Sequence, residues 1–73
     1  MPVVNVQVPA GFYTPQMKQD LVAKFTDAIV EVEGIPALKP AVTVLINEVA
    51  DGGWGSGGKA STLAEMKTRF RVA

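Results

Sequence analysis

VVNVQV, residues 3–8, alternates in a way that only an extended chain uses: Val4, Val6 and Val8 fall on one face, Val3, Asn5 and Gln7 on the other. Pro9 has no N–H to give a ladder and Gly11 relaxes the backbone, so the strand is expected to stop there. Thr14 then offers an oxygen to cap a helix, and Pro15 suits the first helical position, where its missing N–H costs nothing. Met17, Leu21, Phe25, Ala28, Ile29 and Val32 recur at three- and four-residue steps and predict an apolar helical stripe that ends near Gly34. Residues 41–49, AVTVLINEV, return to alternation, with Val42, Val44 and Ile46 on one face and Thr43, Leu45 and Asn47 on the other. Strand, helix and strand form one unit, its strands parallel through a right-handed crossover.

The helix needs one sheet face. The other, carrying Val3, Asn5, Gln7, Thr43, Leu45 and Asn47, is left with nothing in so short a chain to cover it, and is a candidate interface between copies.

After the second strand comes GGWGSGGKAS, residues 52–61. Gly53 to Lys59 spells G-x-x-x-x-G-K, the pattern of a phosphate loop. Ala60 stands where such a loop needs a magnesium-binding hydroxyl, and Trp54 obstructs amides that would have to close on phosphate. A glycine-rich hairpin is the better reading. Thr62 and Glu65 have capping-box spacing, with Leu63, Met66 and Phe70 on one face of a short terminal helix. The expected fold is α+β: a β-α-β unit with parallel strands, then a hairpin and short helix, in a single domain over residues 1–73.

At 73 residues, one core supplies little, about 3–5 kcal/mol. Small chains compensate with disulfides, metal or partners; with no cysteine and no histidine, the first is excluded, a Cys/His zinc site with it, and self-association is left. Seven basic residues balance seven acidic ones, so the chain has no net field for nucleic acid. Four of the basic residues, Lys59, Lys67, Arg69 and Arg71, do follow Gly58, and read either as a solvated C-terminal helix or as a phosphate- or carboxylate-binding tail. No apolar run is long enough for a membrane helix, and no leader precedes the first strand, so a soluble, cytoplasmic protein is expected.

Met1-Pro2 leads directly into the first strand. Removal of an initiator methionine before so small a residue is expected, and leaves Pro2 with a free secondary amine. An α-amino group ordinarily titrates at about 7.7–8.0, and apolar surroundings lower that by disfavouring the cation. Such a nitrogen is a general base near neutral pH in a chain with no histidine for the task.

Pro2, the VVNVQV strand, the helix start at Gly11–Thr14, a second strand ending in INEV and the GGWGSGG hairpin together resemble the tautomerase superfamily, specifically the short 4-oxalocrotonate tautomerase type. The resemblance spans residues 2–59; the basic segment from Ser61 onward exceeds it. It implies a β-α-β fold assembled as dimers and then hexamers, a trimer of dimers, with no cofactor or metal. It also implies that Pro2 moves a proton between carbons of an enolisable carbonyl compound, and that Trp54 is the aromatic wall reaching in from a neighbouring chain. Oxalocrotonate-type enzymes bind carboxylates with two arginines. Here those positions hold Phe12 or Tyr13 and, near the second, Thr43. Tyr13 and Thr43 offer hydrogen bonds to an enolate oxygen in their place, Asn47 being the alternative to Thr43, while Phe12 and Trp54 favour a flatter, less charged substrate. Lys39, or Arg69 and Arg71, are candidates for the missing positive charge. Two other readings compete: a haloacrylate-type hydratase or dehalogenase with Glu48 or Asp51 activating water, and a non-catalytic oligomeric binding protein on the same scaffold.

Overall fold

The computed structural model describes residues 2–72. Met1, whose removal is expected above, lies outside them. Strand β1 (Val3–Pro9) and strand β2 (Thr43–Val49) pair in parallel, Val3 opposite Thr43 and Pro9 opposite Val49, and helix α1 (Pro15–Glu33) connects them.

The alternation in residues 3–8 is reproduced in burial. Val8 is 5% exposed and Val4 and Val6 are half-buried, whereas Val3, Asn5 and Gln7 face outward. β2 starts two residues later than expected: Pro36–Ala41 forms a 3-10 turn, closed by the Val42 N–H donating to the Lys39 carbonyl at 3.2 Å. Pro36 and Pro40 favour this tighter winding because each fixes its backbone and brings no donor to a strand.

α1 begins and ends where its caps place it. The Thr14 hydroxyl accepts the Met17 N–H at 3.1 Å, and Gly34 takes the left-handed conformation (φ 72°) while its N–H donates to the Val30 carbonyl. Its sheet-facing side departs from the expected stripe. Thr26 is buried at 8% exposure, while Val32, expected on the stripe, is 88% exposed and Phe25 and Ala28 are also exposed. Leu21, Val22, Thr26, Ile29 and Val30 run along the less exposed side, so the contact line is rotated from the one drawn through the most apolar residues.

β3 (Gly55–Ser56) and β4 (Lys59–Ala60) form an antiparallel hairpin. Its two-residue loop, Gly57 and Gly58, has φ of 61° and 83°, as a turn with two left-handed central residues requires. Helix α2 (Leu63–Arg69) follows, with the Thr62 hydroxyl accepting the Glu65 N–H and donating to the Glu65 carboxylate, both at 3.1 Å. α2 is tied to the segment after β2, where Asp51 Oδ1 accepts the Leu63 N–H at 2.8 Å, and it approaches the β1–α1 turn, where the Lys67 ammonium lies 5.8 Å from the Phe12 ring centre.

Among the described residues no side chain is fully buried, and the radius of gyration is 15.2 Å, against about 11 Å for a compact domain of this length. The sheet face turned away from α1 is bare. It carries Val3 and Leu45, both well exposed, around an amide cluster in which Asn5 Oδ1 accepts from the side chains of Asn47 and Gln7. No helix among the described residues is long and apolar enough to cross a membrane.

Candidate active site

Pro2 stands immediately before β1, half-buried, with its carbonyl accepting the Thr43 N–H at 3.1 Å. That bond fixes the ring at the entry end of the sheet and brings Pro2 and Thr43 together. The other predicted site residues lie at the opposite end. Because β1 and β2 run parallel, the β1–α1 turn and everything after β2 emerge there, seven residue steps or about 23 Å along the strands from Pro2.

Phe12 and Tyr13 are half-buried in that turn, their rings packed edge to face at 5.4 Å. Trp54 lies between β2 and the hairpin, with its carbonyl accepting the Ser61 N–H at 2.8 Å. Its indole N–H is buried without an acceptor, a cost of about 1–3 kcal/mol for a neutral donor. One protomer therefore assembles two half-sites: Pro2 with Thr43, and Phe12, Tyr13 and Trp54 some distance away.

The acids proposed for water activation are both engaged. Glu48 pairs with Val8 on the α1 side of the sheet and accepts a 2.9 Å charge-assisted bond from the Lys18 ammonium, which holds its carboxyl below the usual carboxylate range. Asp51 caps α2. Of the candidate cations, Lys39 is 3.3 Å from Asp27.

A groove of about 590 Å³ opens between the hairpin and α2, with Trp54, Lys59, Met66, Arg69 and Phe70 among its lining residues. Lys59 and Arg69 are two of the four basic residues after Gly58 that the sequence offered as an anion-binding tail; Lys67 and Arg71 do not line the groove. The loop itself is no phosphate cradle. The Gly52 and Gly53 N–H groups already donate to Ser61 and Ala50, and a strand rather than a helix follows Gly58.

Residues 2–64 match the family described as Tautomerase enzyme. The chain belongs to the tautomerase family. A probable tautomerase from Dickeya dadantii is 36% identical over 63 residues, which cover 85% of this tautomerase-family chain and 90% of the relative. Among solved structures, a 4-oxalocrotonate tautomerase homologue superposes with a TM-score of 0.69 at 30% identity, covering 81% of this chain and 89% of its own. DmpI from Helicobacter pylori gives 0.70 at 28% identity, covering 92% and 97%. Because the family match ends at residue 64, most of α2 lies beyond it in this tautomerase-family chain.

Proposed function

We propose that the protein is a keto–enol tautomerase acting on an enolisable 2-keto acid or a related carbonyl compound, with Pro2 as general base after loss of Met1. The observation that carries this reading is the seat of Pro2. In a chain of the tautomerase family, its carbonyl accepts the Thr43 N–H at the open end of the sheet, so that loss of Met1 would leave the free amine at that end.

The uncharged imino nitrogen takes a proton from the carbon beside the substrate carbonyl, leaving an enolate. The same nitrogen, now protonated, returns the proton at a second carbon or at oxygen, so nothing is consumed. Thr43 beside Pro2, and Tyr13 of a neighbouring copy, donate hydrogen bonds to the enolate oxygen as its charge develops. Phe12 and Trp54 keep water from the amine, which holds its basicity near neutral pH. Since Pro2 lies at the opposite end of one protomer from Phe12, Tyr13 and Trp54, these three reach Pro2 from neighbouring copies. The assembly this calls for is a homohexamer, a trimer of dimers, closed over the bare sheet faces. The hydratase alternative has less to work with, because Glu48 and Asp51 are both committed to structural contacts.

The test is keto–enol exchange of phenylpyruvate by protein of defined intact mass. Pro2→Ala is expected to lower kcat/KM by about a hundredfold or more with the assembly intact, and protein retaining Met1, whose proline nitrogen is an amide, to lose the whole general-base contribution of about 10²–10⁴. Unchanged exchange in both would make the proline a bystander and favour the binding-protein reading.

A further inference from the structure

α2 and the hairpin together build something that the family match does not include. Their groove is lined by the apolar side chains of Trp54, Met66 and Phe70 together with two cations, Lys59 and Arg69; the Arg69 guanidinium lies 5.4 Å from the Phe70 ring centre. Among the described residues neither Lys59 nor Arg69 has an ion-pair partner. The one acid on the wall, Glu65, is held by the Thr62 hydroxyl. The groove volume, about 590 Å³, suits a small organic ligand. Two cations outside any ion pair, lining one groove with two aromatic rings, select one chemistry: a flat apolar body ending in a carboxylate.

We infer that this groove binds aromatic monocarboxylates, and that Lys59 and Arg69 hold the carboxylate of the substrate. The second clause rests on the reading given above, in which Trp54 of one copy covers Pro2 of another: the groove that Trp54 lines then adjoins that proline. Positive charge that Phe12 or Tyr13 and Thr43 do not supply comes instead from Lys59 in the hairpin and from Arg69 in α2, the latter beyond the family match. Arg71, two residues past α2's end, does not line the groove and takes no part.

Trp54 is the only tryptophan, so its emission reports on the groove directly. Phenylacetate should shift that emission saturably, and phenylacetamide, of similar shape but uncharged, should bind at least about tenfold more weakly, as expected when charge-assisted bonds are lost. Lys59→Gln and Arg69→Gln should each weaken phenylacetate about tenfold and leave phenylacetamide unchanged, with Arg69→Lys recovering part of the loss and Arg71→Gln without effect. With phenylpyruvate, Arg69→Gln should raise KM about tenfold and change kcat less than about twofold, the pattern of an interaction made equally in ground and transition states.

Equal binding of acid and amide, or Arg69→Gln and Lys59→Gln variants that match Arg71→Gln, would overturn the inference. Its fate separates from that of the proline base. If Met1-retaining protein turns over normally while Arg69→Gln loses phenylacetate, the base falls and the groove stands; if proline variants are inactive while Arg69→Gln binds and turns over normally, the groove falls alone.

Discussion

Gly55→Ala is the substitution on which the hairpin's role turns. A Cβ at Gly55 would lie 2.1 Å from the Lys59 carbonyl oxygen and 2.8 Å from the Ala60 Cα, where ordinary contact begins at 3.4 Å. Both obstacles are backbone, so no side chain can swing away; β4 must retreat by more than 1 Å from the oxygen clash alone. That retreat opens the Gly55–Ala60 pair and pulls on the neighbouring Ser61 N–H bond to the Trp54 carbonyl. Overpacking of this kind costs about 1–3 kcal/mol. The hairpin is solvent-exposed, so the damage should stay local. Trp54 emission should shift to the red, phenylpyruvate exchange should fall with it, and the far-ultraviolet signal of α1 should persist. Gly57→Ala is the control. No atom lies within 4 Å of its Cβ, and only its left-handed backbone (φ 61°) is penalised, by about 1–2 kcal/mol, so it destabilises comparably without moving the strand. If Gly55→Ala leaves emission and exchange at the level of the unsubstituted protein, the close approach of β3 and β4 does not hold Trp54, and the reasoning fails.

Thr14→Ala removes the oxygen that accepts the Met17 N–H and should cost about 1 kcal/mol, seen as a melting temperature lower by about 4–8 °C; an unchanged melt would mean that another group satisfies that donor. Glu48 titrates below the usual carboxylate range chiefly because Lys18 donates to it, so its contribution to stability is complete above its unfolded pKa and is lost as pH falls through the lower, folded one. Glu48→Gln should therefore flatten the acid limb of a plot of melting temperature against pH, and parallel limbs would refute the coupling. Leu45→Lys sets a charge in the bare sheet face, where Leu45 is 46% exposed; sedimentation should show conversion toward the 7.7 kDa protomer, and an unaltered profile would remove that face from the interface.

Much of the fold was legible because its signals are local. Period-two alternation in residues 3–8 assigns faces without any knowledge of what covers them, and Thr14, Gly34 and Thr62 mark helix ends through bonds made within a few residues. The helix stripe was legible only in part. Apolarity marks Val32 as a core residue, yet the sheet does not cover it there, and Thr26 is buried because of where α1 crosses the strands, which no local pattern encodes. The 3-10 turn was hidden by an apolar run that reads equally well as strand. Of the candidate site, Pro2 and Thr43 meet through strand pairing that the alternation predicts. The distance between Pro2 and Trp54 follows from the parallel order of β1 and β2, which sends one to each end. The groove needs α2 to fold back beside the hairpin, and that docking depends on the Asp51 cap, twelve residues before Leu63.

If copies close over the bare sheet face as proposed, a protomer with no fully enclosed side chain among its described residues draws much of its folding free energy from whatever meets its surfaces. By mass action, its melting point should climb with protein concentration, and catalytic output should fall off faster than linearly on dilution. In a cell, nascent chains made in small excess would stay exposed to proteases until they found companions, so supply would be trimmed to what can pair.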